Sequence, residues 1–116
     1  MCSKAALNSI TEAITSSVLQ LFAEKLSSVI LYGSYARKEN DSESDIDIFL
    51  LLNMPASEIE GYNDEIAVLS SRLSLENEDC VMVSVIMQDI DTFEKYKSVL
   101  PFYSNIVSEG IVLYAV

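Results

Sequence analysis

The chain of 116 residues is short and strongly acidic, with half of its residues hydrophobic and 18 Asp and Glu against 7 Lys and Arg. This length is close to the usual size of one domain, so we expect a single domain over residues 1–116. The net charge of -11 repels phosphate backbones and argues against a nucleic-acid partner. The chain has no histidine, which excludes histidine-based zinc sites and Ser-His-Asp triads.

Cysteine usage and hydropathy indicate where the protein acts. Cys2 and Cys80 have the spacing of neither a metal site nor a redox pair. We find no basic segment leading into an apolar stretch and no apolar run long enough to span a bilayer, so we expect a cytoplasmic protein without membrane contact. A mean hydropathy of +0.27 is high for so acidic a chain, and it suggests a homo-oligomer or association with another protein.

The first half of the chain predicts one helix and two strands. Apolar residues recur at helical spacing over residues 4–25, which predicts an amphipathic helix containing Leu7, Ile10, Ile14, Val18 and Leu21. A short β-branched run, Val29–Tyr32, and a longer apolar run, Asp45–Leu52, predict the strands. A Gly-Ser turn and a polar loop over residues 38–43 join them.

The second half continues the alternation of helices and strands. A second amphipathic helix is predicted despite Gly61, on the repeat of Ile59, Tyr62, Ile66, Leu69 and Leu73. A strand over Cys80–Met87 and a helical turn over residues 90–99 follow. Pro101 should lie in the first turn of a short helix that Gly110 ends, before a last strand over Ile111–Ala115. The fold class is therefore α/β.

The candidate site lies where the first strand ends and the second begins. Asp45 and Asp47 project from one face of a strand, because side chains alternate there, and can grip one divalent cation. Gly33 lets the backbone approach a phosphate, the helical turn after it has a positive end, and the Ser34 hydroxyl can donate to a phosphate oxygen. A Gly-Ser pair after a strand is usually an ordinary turn, and two aspartates at the start of a strand are usually solvated. Together, the two features predict a site for a metal-bound nucleotide triphosphate.

The motif resembles that of a known family. The segment Gly33-Ser34-Tyr35-Ala36-Arg37, followed after the polar loop by Ser44-Asp45-Ile46-Asp47, is similar to the signature of the minimal nucleotidyltransferases, a small branch of the DNA polymerase β superfamily. The resemblance implies a polymerase β-like fold, with a mixed sheet of about four strands flanked by helices. It also implies ATP and Mg2+ as ligands and nucleotidyl transfer as the reaction. Many members are antitoxins of a small helical HEPN-domain ribonuclease, and some attach AMP to it.

The resemblance assigns roles to individual residues. It implies that Gly33 and Ser34 hold the triphosphate and that Asp45 and Asp47 hold magnesium as the catalytic residues. Arg37 and Ser44 complete the predicted nucleotide-binding set. The aromatic residues near the C-terminus could stack on adenine, although core packing is the more common role of such residues, here Tyr96, Phe102 and Tyr103.

One position departs from the family pattern. The family carries a third carboxylate on a later strand, and our register places Ser84 there. A serine is neither a strong magnesium ligand nor a base near neutral pH. Asp79 and Asp89 each lie five residues away, and this odd offset turns their side chains to the opposite face.

Two hypotheses remain open. In the first, the protein transfers AMP from ATP to a hydroxyl of a protein or small molecule, as the antitoxin of a HEPN-type pair. In the second, it is a catalytically impaired module of the same fold that neutralises its partner by forming a complex. A small-molecule enzyme of the aminoglycoside-modifying kind would need a further substrate-binding domain, for which this chain has no room.

Overall fold

A computed structural model describes residues 4–39, 45–76 and 82–116 of the chain. The helices are α1 (Lys4–Phe22), α2 (Ser34–Arg37), α3 (Ala56–Ile59), α4 (Asn63–Glu76), α5 (Ile90–Tyr96) and α6 (Pro101–Glu109). The strands are β1 (Leu26–Tyr32), β2 (Ile46–Leu52), β3 (Val83–Asp89) and β4 (Ile111–Ala115). Short 3-10 turns follow α1, at Ala23–Lys25, and α3, at Glu60–Tyr62.

The four strands form one mixed sheet in the order β3-β2-β1-β4. Strand β1 runs antiparallel to both of its neighbours, and β2 runs parallel to β3. The register of β3 is held at its start, where the Ile46 N–H donates to the Met82 carbonyl and the Val83 N–H donates to the Ser74 hydroxyl, both over 2.9 Å. The predicted mixed sheet of about four strands flanked by helices is confirmed.

Strand β2 is the centre of the fold because both of its faces are covered. One face packs against α1 and α4 and includes Ile46, Ile48, Leu50 and Leu52. The other face packs Phe49 and Leu51 against Phe93 of α5 and Ile106 of α6. Six of the seven residues of β2 are buried, and Asp47 is the exception. A half-buried carboxylate in an otherwise apolar strand is costly, so this position is expected to have a function.

Several predicted element bounds are wrong by a few residues. The first helix ends at Phe22 instead of Lys25, because Ala23 adopts a positive φ of 51° that turns the chain out of the helix. Strand β1 then begins at Leu26, three residues before the predicted Val29, since β2 offers a pairing partner along its whole length. The last predicted strand residue of β3 was Met87, and the strand continues to Asp89.

The second predicted helix is interrupted where glycine occurs. Gly61 lies in the 3-10 turn between α3 and α4, as expected for a residue that disfavours α-helix interiors. Strand β2 begins at Ile46, so Asp45 immediately precedes it. The predictions for Cys2, Ser44, Asp79 and Cys80 fall outside the residues that the structure describes.

The junction of α6 and β4 follows the predicted Pro and Gly signals. Pro101 occupies the first turn of α6, and the Gly110 N–H donates to the Ile106 carbonyl over 2.9 Å. A Cβ atom at Gly110 would lie 2.5 Å from both the Ile106 oxygen and the Ile30 Cγ2 atom. The chain therefore passes closely over β1 only because residue 110 has no side chain. Within the described segments, no helix is long and apolar enough to cross a membrane.

Candidate nucleotide and metal site

The end of β1 and the start of β2 bring the predicted site residues together. Tyr32 and Asp47 are paired residues of the antiparallel β1–β2 ladder, and the chain turns immediately after Tyr32, at Gly33, into α2. Asp45 lies just before β2 and is exposed. The Gly-Ser turn and the two aspartates therefore meet at one end of the sheet, as the motif predicts.

Gly33 lies against the Asp47 carboxylate. Its backbone angles, φ 77° and ψ -157°, lie in a region that is essentially restricted to glycine. A Cβ atom at this position would overlap Asp47 Oδ2 and lie 3.2 Å from Asp47 Cγ. Glycine is thus required for both the turn and the close approach of backbone and carboxylate.

The electrostatics of the site centre on Asp47. Burial raises the pKa of its carboxyl group, the negative charge of Asp45 raises it further, and the Arg37 guanidinium lowers it. Burial, with a further contribution from Asp47, raises the pKa of the Tyr32 phenol to about 12. The site therefore concentrates negative charge in a half-buried place, where a cation is favoured.

Helix α2 is the helical turn that the Gly-Ser motif predicts. It has a single turn of four residues, closed by the hydrogen bond from the Arg37 N–H to the Gly33 carbonyl over 3.1 Å. A helix this short has little macrodipole. Phosphate contacts would therefore come from individual groups at its start, including the Ser34 hydroxyl, because the N-cap residue Gly33 has no capping side chain.

Arg37 is paired with carboxylates in this structure. Its guanidinium lies 3.1 Å from Glu39 and 3.6 Å from Glu109, so it connects α2 to α6. A bound phosphate would compete with these two exposed partners. Arg37 also lines a shallow pocket of about 180 Å³ together with Tyr32, Gly33 and Phe102.

Ser84 lies directly beside Asp47, where the predicted register placed it. The two residues are partners in the parallel β2–β3 ladder. Among the residues with described positions, no group of three or more Asp, Glu, His or Cys side chains is arranged to hold a metal. Asp89 does not replace the missing carboxylate, because it is buried at the far end of β3, where it accepts the Thr92 N–H over 2.9 Å and caps α5.

The aromatic residues divide between the core and the site. Tyr103 packs against Phe49 and Phe93, and its hydroxyl donates to Gln88 over 2.7 Å, which agrees with a core role. Phe102 is 43% exposed and packs edge-to-face against Tyr32, beside the shallow pocket. Sequence reasoning missed the Tyr32–Phe102 pair, although the position of Tyr32 next to Gly33 was an available signal.

Two lysines at the end of α5 contact neighbouring side chains of the same segment. Lys97 forms an ion pair with Glu94 over 2.6 Å, one turn away on the same helical stretch. The Lys95 ammonium lies over the Tyr96 ring, 5.3 Å from its centroid.

The residues present fit a divalent cation bound with a phosphate. Carboxylate oxygens are the ligands that Mg2+ prefers, and Mg2+ usually binds through one or two carboxylates together with substrate phosphates. Asp45 and Asp47 supply the carboxylates, and the Asp47 carboxylate occupies the space that a side chain at Gly33 would fill. This fold and this arrangement define a protein of the nucleotidyltransferase class.

Comparison with known proteins agrees with that class. The family described as "Nucleotidyltransferase domain" matches residues 12–113, and the chain belongs to this family. Two similar proteins come from Methanocaldococcus jannaschii. "Putative protein adenylyltransferase MJ0604" is 32% identical over 90 residues, covering 78% of this chain and 80% of that protein. "Putative protein adenylyltransferase MJ0141" is 34% identical over 73 residues, covering 62% of this chain and 71% of that protein.

Solved structures share the fold. A toxin-antitoxin structure named MntA-HpeT, with the mutations D39ED41E, has a TM-score of 0.51 at 19% identity, covering 90% of this chain and 73% of that one. A toxin-antitoxin structure with AMP-PNP has a TM-score of 0.51 at 21% identity, with the same coverage of each chain. The polymerase β-like nucleotidyltransferase fold predicted from the motif is thus confirmed.

Proposed function

We propose that this protein transfers AMP from ATP to a hydroxyl group of a partner protein and acts as the antitoxin of that partner. The observation that carries the proposal is the approach of Gly33 to Asp47, with Asp45 beside it. A backbone conformation that is restricted to glycine and two neighbouring carboxylates are costly for a fold that uses neither. Binding of a metal-bound triphosphate gives both features a purpose.

Each site residue has a role in this proposal. Asp45 and Asp47 would hold Mg2+, and Ser34 and the backbone after Gly33 would hold the β- and γ-phosphates. Arg37 and Ser44 would add contacts to the nucleotide. When bound, the metal would neutralise phosphate charge during transfer.

The reaction follows from this placement. The acceptor hydroxyl oxygen attacks the α-phosphorus of ATP, the bond to the β-phosphate oxygen breaks, and pyrophosphate leaves. The hydroxyl proton passes to water, because Ser84, beside Asp47, is not a base at neutral pH. Catalysis would rest mainly on positioning and charge neutralisation, and it would be slower than with a third carboxylate. Use of ATP agrees with action in the cytoplasm.

The proposed acceptor is a protein. A macromolecular acceptor needs no enclosing pocket, since it brings its own surface to the site. The net charge of -11 favours a basic partner through electrostatic steering.

The comparisons support a toxin as that partner. Two proteins named as protein adenylyltransferases are similar in sequence, and two solved structures of toxin-antitoxin pairs share the fold, one of them with AMP-PNP. The family resemblance adds that the toxin would be a small helical HEPN-domain protein.

Ser84 favours a second candidate function. Without a third carboxylate beside Asp47, the protein could bind nucleotide and partner but transfer no AMP. It would then neutralise the partner by complex formation alone. Neutralisation by binding alone requires a stable complex, whereas transfer requires only an encounter and leaves a covalent product.

Intact mass spectrometry distinguishes the two candidates. The protein and whatever co-purifies with it from its native host are incubated with ATP and Mg2+, and each mass is recorded. A gain equal to one AMP on the partner supports transfer, provided that Asp47→Asn abolishes it. Asp64→Asn is the matched control, because Asp64 is an exposed aspartate on α4. A stable complex without mass gain supports the binding module, and transfer that survives Asp45→Asn combined with Asp47→Asn would overturn the site assignment.

A further inference from the structure

A cavity of about 430 Å³ lies beside α2 and is bordered by α1, the end of β1 and the start of β4. Sites for small molecules usually have volumes of about 300–1,000 Å³, so this cavity has room for a small ligand. One wall of it is apolar and consists of aliphatic side chains from three elements, namely Leu7, Leu31, Ile111 and Leu113.

The polar side chains of the cavity include two ammonium groups. Lys4, Asn8 and Thr11 lie on one face of α1, since residues three and four apart share a helix face, and Lys38 follows α2 directly. The Thr11 hydroxyl already donates to the Asn8 carbonyl over 3.0 Å. An ammonium group only donates hydrogen bonds, so the two lysines call for a ligand with an accepting, negatively charged head group.

These two lysines differ from the other basic residues of the chain. Within residues 4–39, 45–76 and 82–116, Lys4 and Lys38 form no ion pair. The remaining five basic residues each contact a carboxylate or, in one case, an aromatic ring: Lys25, Arg37, Arg72, Lys97 and Lys95. A chain of net charge -11 repels anions in general, so two such cations beside one cavity are a local exception to that repulsion.

The cavity is separate from the nucleotide site. Leu31 packs with α1 on one face of the sheet, whereas Tyr32 packs on the other face, towards α6. Helix α2 lies between the two places, because Tyr35 lines the cavity and Arg37 lines the pocket beside Gly33. The cavity uses none of the residues assigned to nucleotide binding, so an inference about it does not depend on the proposed transfer of AMP.

We propose that this cavity is a second binding site, which takes a small amphipathic anion. The anionic head group, a carboxylate or a phosphate, contacts the Lys4 and Lys38 ammonium groups, and the aliphatic body of the ligand packs against the apolar wall. An inorganic anion would leave the wall uncovered, and an uncharged apolar molecule would leave the two ammonium groups without a partner. A ligand with both parts matches the two halves of the cavity.

Isothermal titration calorimetry of the full chain tests the proposal with three probes of one chain length: octanoate, octyl phosphate and 1-octanol. We expect saturable binding of at least one of the two anions, and the tighter anion identifies the head group. The uncharged 1-octanol should bind about tenfold more weakly, because it lacks the contacts to both lysines. Added NaCl should weaken binding of the anion, since salt screens exposed charges. Binding of 1-octanol as tight as that of the anions, or no saturable binding of either anion, overturns the proposal.

Substitution of the lysines tests the head-group contacts. Lys4→Gln and Lys38→Gln should each raise the Kd of the anion about two- to fivefold, the effect of one exposed charge pair. Lys95→Gln is the matched control, because it removes the same charge from α5, where Lys95 lies over the Tyr96 ring. If Lys95→Gln weakens binding as much as the other two variants, the anion responds only to total charge and the assigned contacts are wrong.

Two neighbouring residues of β4 test the apolar wall. Ile111 pairs with Leu31 and lines the cavity, whereas Val112 pairs with Ile30 on the opposite face of the sheet. Ile111→Thr keeps a β-branched residue in the strand and should raise the Kd about three- to fivefold, and Val112→Thr should leave it unchanged. Circular dichroism verifies that both variants fold. Equal Kd values for the two variants, or displacement of the bound anion by ATP with Mg2+, would overturn the placement of the ligand in this cavity.

Discussion

Ser84→Asp is the sharpest test of how the site works. Ser84 and Asp47 are partners on neighbouring parallel strands, which lie about 4.8 Å apart. An aspartate at position 84 therefore places a third carboxylate beside Asp47 on the same face of the sheet. The family resemblance implies that this carboxylate completes the metal site and helps to deprotonate the acceptor.

The loss of stability that Ser84→Asp causes without metal follows from the distance between the two carboxylates. Two unit charges about 5 Å apart repel by about 3 kcal/mol at an effective dielectric of about 20. Asp47 is only half buried, so water and salt reduce this repulsion to about 1 kcal/mol. A loss of about 1 kcal/mol lowers the Tm of a domain of this size by about 4 °C. Magnesium should reverse the loss, because it neutralises the three carboxylates.

Two measurements check the prediction. Thermal unfolding with and without MgCl2 should show a larger Mg2+-dependent rise in Tm for Ser84→Asp than for the parent, and AMP transfer should become about 100-fold faster with a base in place. Ser84→Asn is the control, because asparagine has the size of aspartate without its charge. If Ser84→Asp gains neither metal stabilisation nor rate while Asp47→Asn abolishes transfer, Ser84 does not occupy the position of the third carboxylate.

Two further predictions concern the turn and the core. Gly33→Ala should destabilise the fold by about 1–3 kcal/mol, because alanine is strained at this φ and its Cβ atom would overlap Asp47. The variant should also bind ATP more weakly. Denaturant unfolding measures the stability and calorimetric titration measures the ATP binding, and an unchanged stability would refute the turn geometry. Burial of Asp89 would raise the pKa of its carboxyl group, but hydrogen bonds from Thr92 and Gln88 hold this pKa below its ordinary value of 3.8. In acid, the unfolded chain therefore binds more protons than the folded chain. The free energy of unfolding should fall as the pH drops below about 4. Asp89→Asn keeps a capping residue and should flatten the stability profile in that range; an unchanged acid slope would contradict this.

The site was predictable because its residues are close in sequence. Gly33 and Ser34 follow β1 directly, and Asp45 and Asp47 flank Ile46, the first residue of β2, so an antiparallel connection is enough to bring them together. Ser84 comes from a distant strand, and the parallel β2–β3 register pairs it with Asp47. A shift of one residue would turn its side chain to the other face.

The remaining features depend on tertiary contacts that local patterns do not encode. The ion pair of Arg37 with Glu109 forms only because α6 packs back over the end of β1. The pairing of Phe102 with Tyr32 has the same origin. The start of β1 at Leu26 is decided by its partner Leu52, and the sequence near Leu26 reads equally well as the end of a helix.

The Asp47→Asn variant distinguishes the contribution of Asp47 to metal binding from its contribution to the stability of the fold. Burial and the charge of Asp45 raise the pKa of its carboxyl group, which means that the ionised form is less favourable in the folded chain than in the unfolded one. Asp47→Asn removes this charge, so without Mg2+ we expect the variant to be more stable than the parent at pH 7, by about 0.5–1 kcal/mol.

The pH dependence of this difference is the check. As the pH falls through the acid range, the parent carboxyl becomes protonated and its cost disappears, so the two stability curves should converge. Denaturant unfolding at several pH values, with Asp64→Asn as control, measures this. If Asp47→Asn were instead less stable at pH 7 without metal, the carboxylate would serve the fold, and its half-buried place in β2 would be no sign of a cation site. If Asp47→Asn is more stable than the parent without metal and has lost nucleotide binding, then Asp47 destabilises the fold and is present for ligand binding.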